Sequence, residues 1–243
     1  MHIGNGQFLQ GDCLELMREI PDGSVDMVLC DLPYGTTQNK WDSVIPFEPL
    51  WEQYWRICKP NAAVVLTAAQ PFTSALVMSQ VERFKQELVW NKNVASDFLN
   101  ANRRHMAKHE SVLLFCRGKE TYNPQSSPGK PYVAKRYGND DTGDNYGAIT
   151  KRTDTVNSGE RKPTSQLFFH REVGIHPTQK PVALFEYLIR TYTNEGEHVL
   201  DNTAGSGTTA IAAENAGRRW TCMERDAGYY EAAIARVWDH LNA

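Results

Sequence analysis

The glycine loop Asn202-Thr203-Ala204-Gly205-Ser206-Gly207 constrains this chain more than any other feature. It follows the apolar run His198-Val199-Leu200, which ends at Asp201, and precedes a helical pattern from Thr208 to Ala216 closed by Gly217. Arg219-Trp220-Thr221-Cys222-Met223 then reads as a second strand, ending at Glu224. Strand, glycine turn, helix, strand and terminal acid make half of a doubly wound nucleotide-binding unit. Glycines there let the backbone approach a ligand closely, and an acid about 20 residues on can accept ribose hydroxyls. The third glycine of a dinucleotide fingerprint is absent, and Thr208-Thr209 stands where a phosphate loop would carry lysine. Only one helical pattern follows Glu224, opening at Asp226 as its cap and running through Trp238. The other strands must therefore come from earlier in the chain, and the sheet is expected to be circularly permuted.

The earlier part supplies them. Gly6-Gln7-Phe8-Leu9-Gln10 leads to Gly11-Asp12, and Leu14, Leu16, Met17 and Ile20 follow at helical spacing. Asp26 to Cys30 reads as a buried strand ending at Asp31, Phe47 to Cys58 as a helix, Ala62 to Ala69 as a strand and Phe72 to Phe84 as another helix. Ser111 to Cys116 is a further strand, and Pro181 to Tyr192 a further helix. Such alternation predicts an α/β fold, a doubly wound and mostly parallel sheet with helices on both faces.

The stretch from about 117 to 170 breaks the pattern. It is rich in Gly, Pro, Asn, Asp, Ser and Thr, with Tyr122, Tyr132, Tyr137 and Tyr146 interleaved. A long irregular segment inside an α/β frame reads as a recognition insertion. The expected division is 1–116 with 171–243 as the catalytic and cofactor-binding domain, and 117–170 as the insertion. Charge follows a related boundary. Residues 85–180 hold 16 Lys and Arg against 10 Asp and Glu, a net of +6, while the remainder holds 10 against 19, a net of −9. A basic middle between acidic ends points to an anionic partner, with Arg103, Arg104 and Lys108 as candidate phosphate contacts. His105 and His109 stand four apart but lack a third ligand, so no metal is expected. The 5 dispersed cysteines, the lack of a long apolar run and the lack of a leader pattern at Met1 fit a reduced, cytoplasmic protein without membrane spans.

Asp31-Leu32-Pro33-Tyr34 makes the reading specific. It resembles the Asp-Pro-Pro-Tyr motif of amino-directed DNA methyltransferases, with Leu32 in place of the first proline. Asp201-x-x-Ala204-Gly205-Ser206-Gly207-Thr208 resembles their cofactor motif, and His176-Pro177-Thr178-Gln179-Lys180-Pro181 the segment before it. Catalytic motif first, recognition region next and cofactor motif last is the order of the β group of these enzymes. The resemblance implies the S-adenosylmethionine-dependent methyltransferase fold, with double-stranded DNA as partner and a flipped-out adenine methylated at N6. Cytosine N4 is the alternative, and a catalytically silent DNA-binding relative a further one. Homodimers are frequent in the group, but no residue here argues for one. Asp31, the Leu32 carbonyl, Pro33 and Tyr34 would serve the target amine, because hydrogen-bond acceptors on an exocyclic amine free its lone pair and an aromatic face stacks on an extrahelical base. Trp41 would line the base pocket or anchor its loop. Asp12 and Cys13 would lie at the adenine end of the cofactor, Glu224 at its ribose, and the backbone of Gly205 to Gly207 at its methionine end. Lys180 would meet the cofactor carboxylate.

Overall fold

In a computed structural model the protein is described over residues 1–35, 42–135, 154–172 and 178–243. Trp41, Tyr137, Tyr146, His176 and Pro177 fall outside the described residues.

The frame is a nine-stranded sheet. Its strands are β1 (His2–Ile3), β2 (Gly6–Gln10), β3 (Val25–Asp31), β4 (Cys58–Ala68), β5 (Phe84–Ser96), β6 (Ala107–Phe115), β11 (Gln166–Phe168), β12 (His198–Asp201) and β13 (Arg219–Glu224). They lie in the order β1-β2-β13-β12-β3-β4-β6-β5-β11. The central strands β2, β13, β12, β3 and β4 run parallel, while β6 is antiparallel to both its neighbours. The order of travel reverses between β12 and β3. That is the switch point outside whose carboxyl ends ligands bind in open α/β sheets. The last two central strands of the chain, β12 and β13, sit between β3 and β2, so the sheet is permuted as the late glycine loop requires.

The central strands are continuous apolar runs because both faces are covered. Met27 and Leu29 of β3 join the core under α4 (Val182–Tyr192), α5 (Thr208–Asn215) and α6 (Ala227–Leu241). Val28 and Cys30 point the other way, into the core under α1 (Cys13–Leu16), α2 (Phe47–Ile57) and α3 (Phe72–Ser79). The helices read as their spacing predicts: α2 buries Leu50, Trp51, Tyr54 and Ile57, and α6 is capped by Asp226, whose carboxylate accepts from the Gly228 and Tyr229 amides. The glycine-rich turn before α5 carries left-handed φ values of 52° at Gly205 and 76° at Gly207. At Gly207 a Cβ would also meet Phe8, Ala233 and Val237 at 3.1–3.4 Å.

Several boundaries differ from the sequence reading. The helix from Phe72 stops at Ser79, and Phe84 opens β5, its ring packed on Phe115 at 5.6 Å between centroids. β4 begins at Cys58, directly after α2. The helical spacing of Leu14 to Ile20 becomes one α turn followed by a 3-10 turn over Met17–Glu19. Residues 91–96 and 107–109, polar in sequence, extend the two strands, so that β5 and β6 pair from Phe84↔Phe115 out to Ser96↔Ala107. Backbone pairing carried outward from the buried strands overrides side-chain polarity there, since Asn91 pairs with His109 and Ser96 with Ala107.

The chain divides into two compact units, 1–123 with 165–243, and 124–164. The smaller unit holds two short ribbons, β7 (Ser127–Pro128) with β10 (Glu160–Arg161) and β8 (Tyr132–Ala134) with β9 (Thr155–Asn157). Residues 117–123 and 165–170 belong to the larger unit, where β11 pairs with β5. The insertion bounds 117–170 are thus wider than the smaller unit.

Candidate active site

A cleft of about 860 Å³ opens at the carboxyl ends of the central strands. Its walls bring together Asp12 and Cys13 after β2, Asp31 to Tyr34 after β3, Lys180 before α4, Asp201 and Ala204 to Ser206 after β12, and Glu224 after β13. Thr208 lines it too, while Gly207 does not: packing against Phe8 and α6 turns it away. Segments up to about 210 residues apart meet because four of the five end or follow a parallel strand at the same edge, the fifth being the Lys180 segment before α4.

At one end of the cleft the geometry is set by backbone. Glu224 Oε2 accepts from the Gly205 amide at 2.9 Å, and Oε1 from the Asp226 amide at 2.8 Å. The Ala204 amide donates to the Met223 carbonyl at 2.9 Å. Burial raises the Glu224 carboxyl above its usual range against these hydrogen bonds. Asp12 caps α1, its carboxylate accepting from the Leu14 amide at 2.9 Å. Asp201 is buried beneath the loop, accepting from the Thr203 amide at 3.0 Å and from the Thr209 hydroxyl. Burial pushes its carboxyl up to about 7.

At the other end charge dominates. Asp31 Oδ1 accepts from the Tyr34 hydroxyl at 2.8 Å and the Thr67 hydroxyl at 2.5 Å. Its Oδ2 faces the Lys180 ammonium at 2.6 Å. Lys180 also stands 3.4 Å from Glu110, which pairs with Lys92 at 3.0 Å. Two carboxylates and two ammonium groups thus alternate in a nearly buried row, a neutral set that offsets desolvation. Burial disfavours the charged forms, but the neighbours outweigh it: Glu110 is held below its usual range and Lys180 above. Tyr34 stacks on Phe72 with 5.2 Å between centroids, and its hydroxyl is pushed well up by burial and then by the Asp31 charge. The Asp31 carbonyl accepts from Thr203 at 3.1 Å, which couples the two ends of the cleft.

Sequence reasoning sends Lys180 to a cofactor carboxylate; here its ammonium faces Asp31 and Glu110 instead. It also misses Thr67, Lys92 and Glu110. A usable signal exists for each. Thr67 is the lone hydroxyl in the buried run Ala62 to Ala69, and Lys92 and Glu110 are charges set into strands otherwise buried at Trp90 and Val112. Beneath the site, Asn202 Oδ1 accepts from Tyr54 at 2.5 Å and Cys30 at 2.8 Å, while its Nδ2 is buried without a partner and the residue lines the cleft. Arg103, Arg104 and Lys108 lie outside the cleft and are exposed, the two arginines in the turn between β5 and β6 and Lys108 at the start of β6, and Arg104 is bonded to Asp97 at 2.8 Å.

A DNA methylase family model of the N6/N4 methyltransferase type matches residues 25–235. The Type II methyltransferase M.BglII of Bacillus subtilis is 28% identical over 245 aligned positions, covering 92% of this chain. The chain spans 66% of that relative's length. Among solved structures, the M1.HpyAVI–SAM complex superposes with a TM-score of 0.65 at 24% identity, covering 95% of this chain and 99% of that one. The cytosine-N4-specific PvuII DNA methyltransferase superposes with a TM-score of 0.67 at 17% identity, covering 98% and 92%. These structures share the fold.

Proposed function

Because the chain belongs to the DNA methylase family of N6- and N4-directed enzymes, we propose that it methylates the N6 amine of adenine in double-stranded DNA, with S-adenosylmethionine as donor. The observation that carries the reading is the single cleft joining Asp31-Leu32-Pro33-Tyr34 to the Gly205 turn and Glu224. The donor set suits an adenosine with a charged amino-acid tail. Glu224 offers a carboxylate to ribose hydroxyls, Asp12 and Cys13 lie at the mouth of the same end, and Asn202 leaves a buried amide unsatisfied at the wall. Asp201 holds the loop from below. Ala204, Gly205 and Ser206 line the space, Thr208 behind them, and Gly207 serves by its backbone turn.

When bound, S-adenosylmethionine supplies an electrophilic methyl group on a sulfonium. The chain's own residues prepare the nucleophile. An exocyclic amine has its lone pair delocalised into the ring. Asp31 and the Leu32 carbonyl accept its two hydrogens, favour a pyramidal nitrogen and return the lone pair for in-line attack. Residue 32 acts through its carbonyl, so leucine serves where the family motif has proline. Pro33 stiffens the turn, and Tyr34, backed by Phe72, stacks on the base. Lys180 balances Asp31 while the base is absent and has Glu110 beside it as an alternative partner. The positive charge that moves from sulfur to nitrogen would be met by Asp31, and the methylated nitrogen would then release one proton to solvent, leaving the cofactor as the thioether. Arg103, Arg104 and Lys108 contact phosphates, and residues 117–170 read the target sequence.

Adenine is favoured over cytosine by Asp31, since cytosine-N4 enzymes of the resembling group often carry Ser there. Cytosine N4 is the second reading because the PvuII enzyme shares this fold. The test is transfer of labelled methyl from S-adenosylmethionine to duplex DNA. Label should enter mixed-sequence DNA and fail to enter a duplex of dG and dC alone. Label in the dG·dC duplex would favour cytosine, and none in either would remove the activity.

A further inference from the structure

The turn that joins β5 to β6 displays two large apolar side chains to solvent. Phe98 is 75% exposed and Leu99 84%. Val94 and Met106, at the flanks of the same turn, are exposed as well. Despite this exposure the turn is well tied. Asp97 takes a left-handed φ of 68° and accepts from Asn100 Nδ2 at 2.6 Å and Arg104 Nε at 2.8 Å. The Ala101 amide donates to the Phe98 carbonyl, and the Arg103 and Arg104 amides to the Asn100 carbonyl. The two apolar side chains therefore stand on a preorganised support and lose little freedom on binding.

Two further observations say what they meet. The flanking charges are basic, Arg103, Arg104 and Lys108, against Asp97 as the one acid from 93 to 109. Two copies of this turn brought together would oppose like charges, whereas a nucleic-acid backbone would be neutralised by it. The strands below the turn also build the cleft: Trp90, Lys92, Ser96 and Glu110 are in its wall, and Asp97 follows Ser96 directly. The apolar tip thus rises from the rim of the space where the target base would be received.

We propose that Phe98 and Leu99 form a wedge that enters the base stack of the duplex and fills the gap left by the base drawn into the cleft. This rests on the reading of the chain as a DNA methyltransferase. Extrusion of a base costs unstacking and unpairing, and apolar side chains between base steps offset that cost. Arginines beside the wedge hold the phosphates on either side of the opened step.

The experiment compares wild type with Phe98→Ala/Leu99→Ala in single-turnover methylation. The substrate is a duplex bearing the sequence the enzyme marks in a methylation-free host, with the target paired or set opposite an abasic site. The variant should lose roughly ten- to a hundredfold on the paired duplex. It should recover to within about threefold of wild type on the abasic duplex, where extrusion is nearly free. Phe98→Trp/Leu99→Met, which keeps apolar bulk, should stay near wild type on both. An equal loss on both duplexes, or no loss on the paired one, would overturn the wedge. So would conversion of a wild-type dimer to monomer on sedimentation, which would mark the tip as a contact between copies. Wild-type protein that methylates neither duplex would overturn the enzyme reading itself, and the wedge with it.

Discussion

The two ends of the cleft are built by different means. The end at Gly205 and Glu224 is local: strand, turn, helix and acid lie within residues 198–224, and backbone amides fix the acid in place. The end at Asp31 is assembled from four distant elements. Thr67 comes from β4, Lys92 from β5, Glu110 from β6 and Lys180 from the segment before α4, and side-chain charges fix their geometry. A site held by backbone hydrogen bonds suits an invariant ligand. A row of alternating charges can repartner when a neutral base arrives, because Lys180 and Glu110 each face two ions of opposite sign. The contrast implies that damage at one end should appear in cofactor affinity and damage at the other in the chemical step.

The largest effect should come from Asp31→Ala. Methylation should fall on the order of 10³-fold or more, as for removal of a group that meets developing charge. Cofactor affinity by calorimetry should stay within about threefold. A loss of affinity equal to the loss of rate would erase the contrast. Glu224→Ala should do the reverse. Its charged hydrogen bonds are worth about 1.5–3 kcal/mol, so the cofactor Kd should weaken by roughly ten- to a hundredfold. The rate at saturating cofactor should return to within about threefold of wild type. A saturated rate still far below that value would place Glu224 in the chemical step.

Glu110→Gln sharpens the comparison from the charged end. It leaves Lys180 with Asp31 as its only carboxylate and so keeps the acceptor engaged. We expect kcat to drop about tenfold, equivalent to about 1.4 kcal/mol, with the cofactor KM unchanged. If KM rises and kcat holds, Glu110 belongs with the cofactor end.

The difference between the ends also explains what could be read from the residues alone. The Gly205 end was legible because its parts are neighbours in sequence and each obeys a local rule: strand, left-handed turn, N-cap, terminal acid. Asp31 and Tyr34 were legible through a four-residue motif. Their partners were not, since no local rule joins Thr67 to residue 31 or Glu110 to residue 180. Lys180 shows this most clearly, being placed in the right cleft and next to a different group. The strands at 91–96 and 107–110 were obscured for the same reason, because long-range pairing decides strand formation in polar sequence.

The smallest effect concerns stability. The Asp201 carboxyl, pushed by burial up to about 7, stays protonated in the native state where the unfolded chain has already ionised. Its raised value favours folding least above pH 7 and most near pH 4, so the native state loses stability as pH rises between those limits. Asp201→Asn removes that titration. Melting temperature should fall less between pH 5 and 8 in the variant than in wild type, by a few degrees for about 1–2 kcal/mol. Parallel curves would show that Asp201 is ionised throughout.

The most direct test of the account is the identity of the modified base. DNA incubated with the protein and S-adenosylmethionine is digested to nucleosides and separated by mass spectrometry. N6-methyldeoxyadenosine should be the sole new deoxynucleoside, and it should be absent with Asp31→Ala. N4-methyldeoxycytidine in its place would contradict the assignment of the base, and a methyl group on ring carbon would contradict the role given to Asp31.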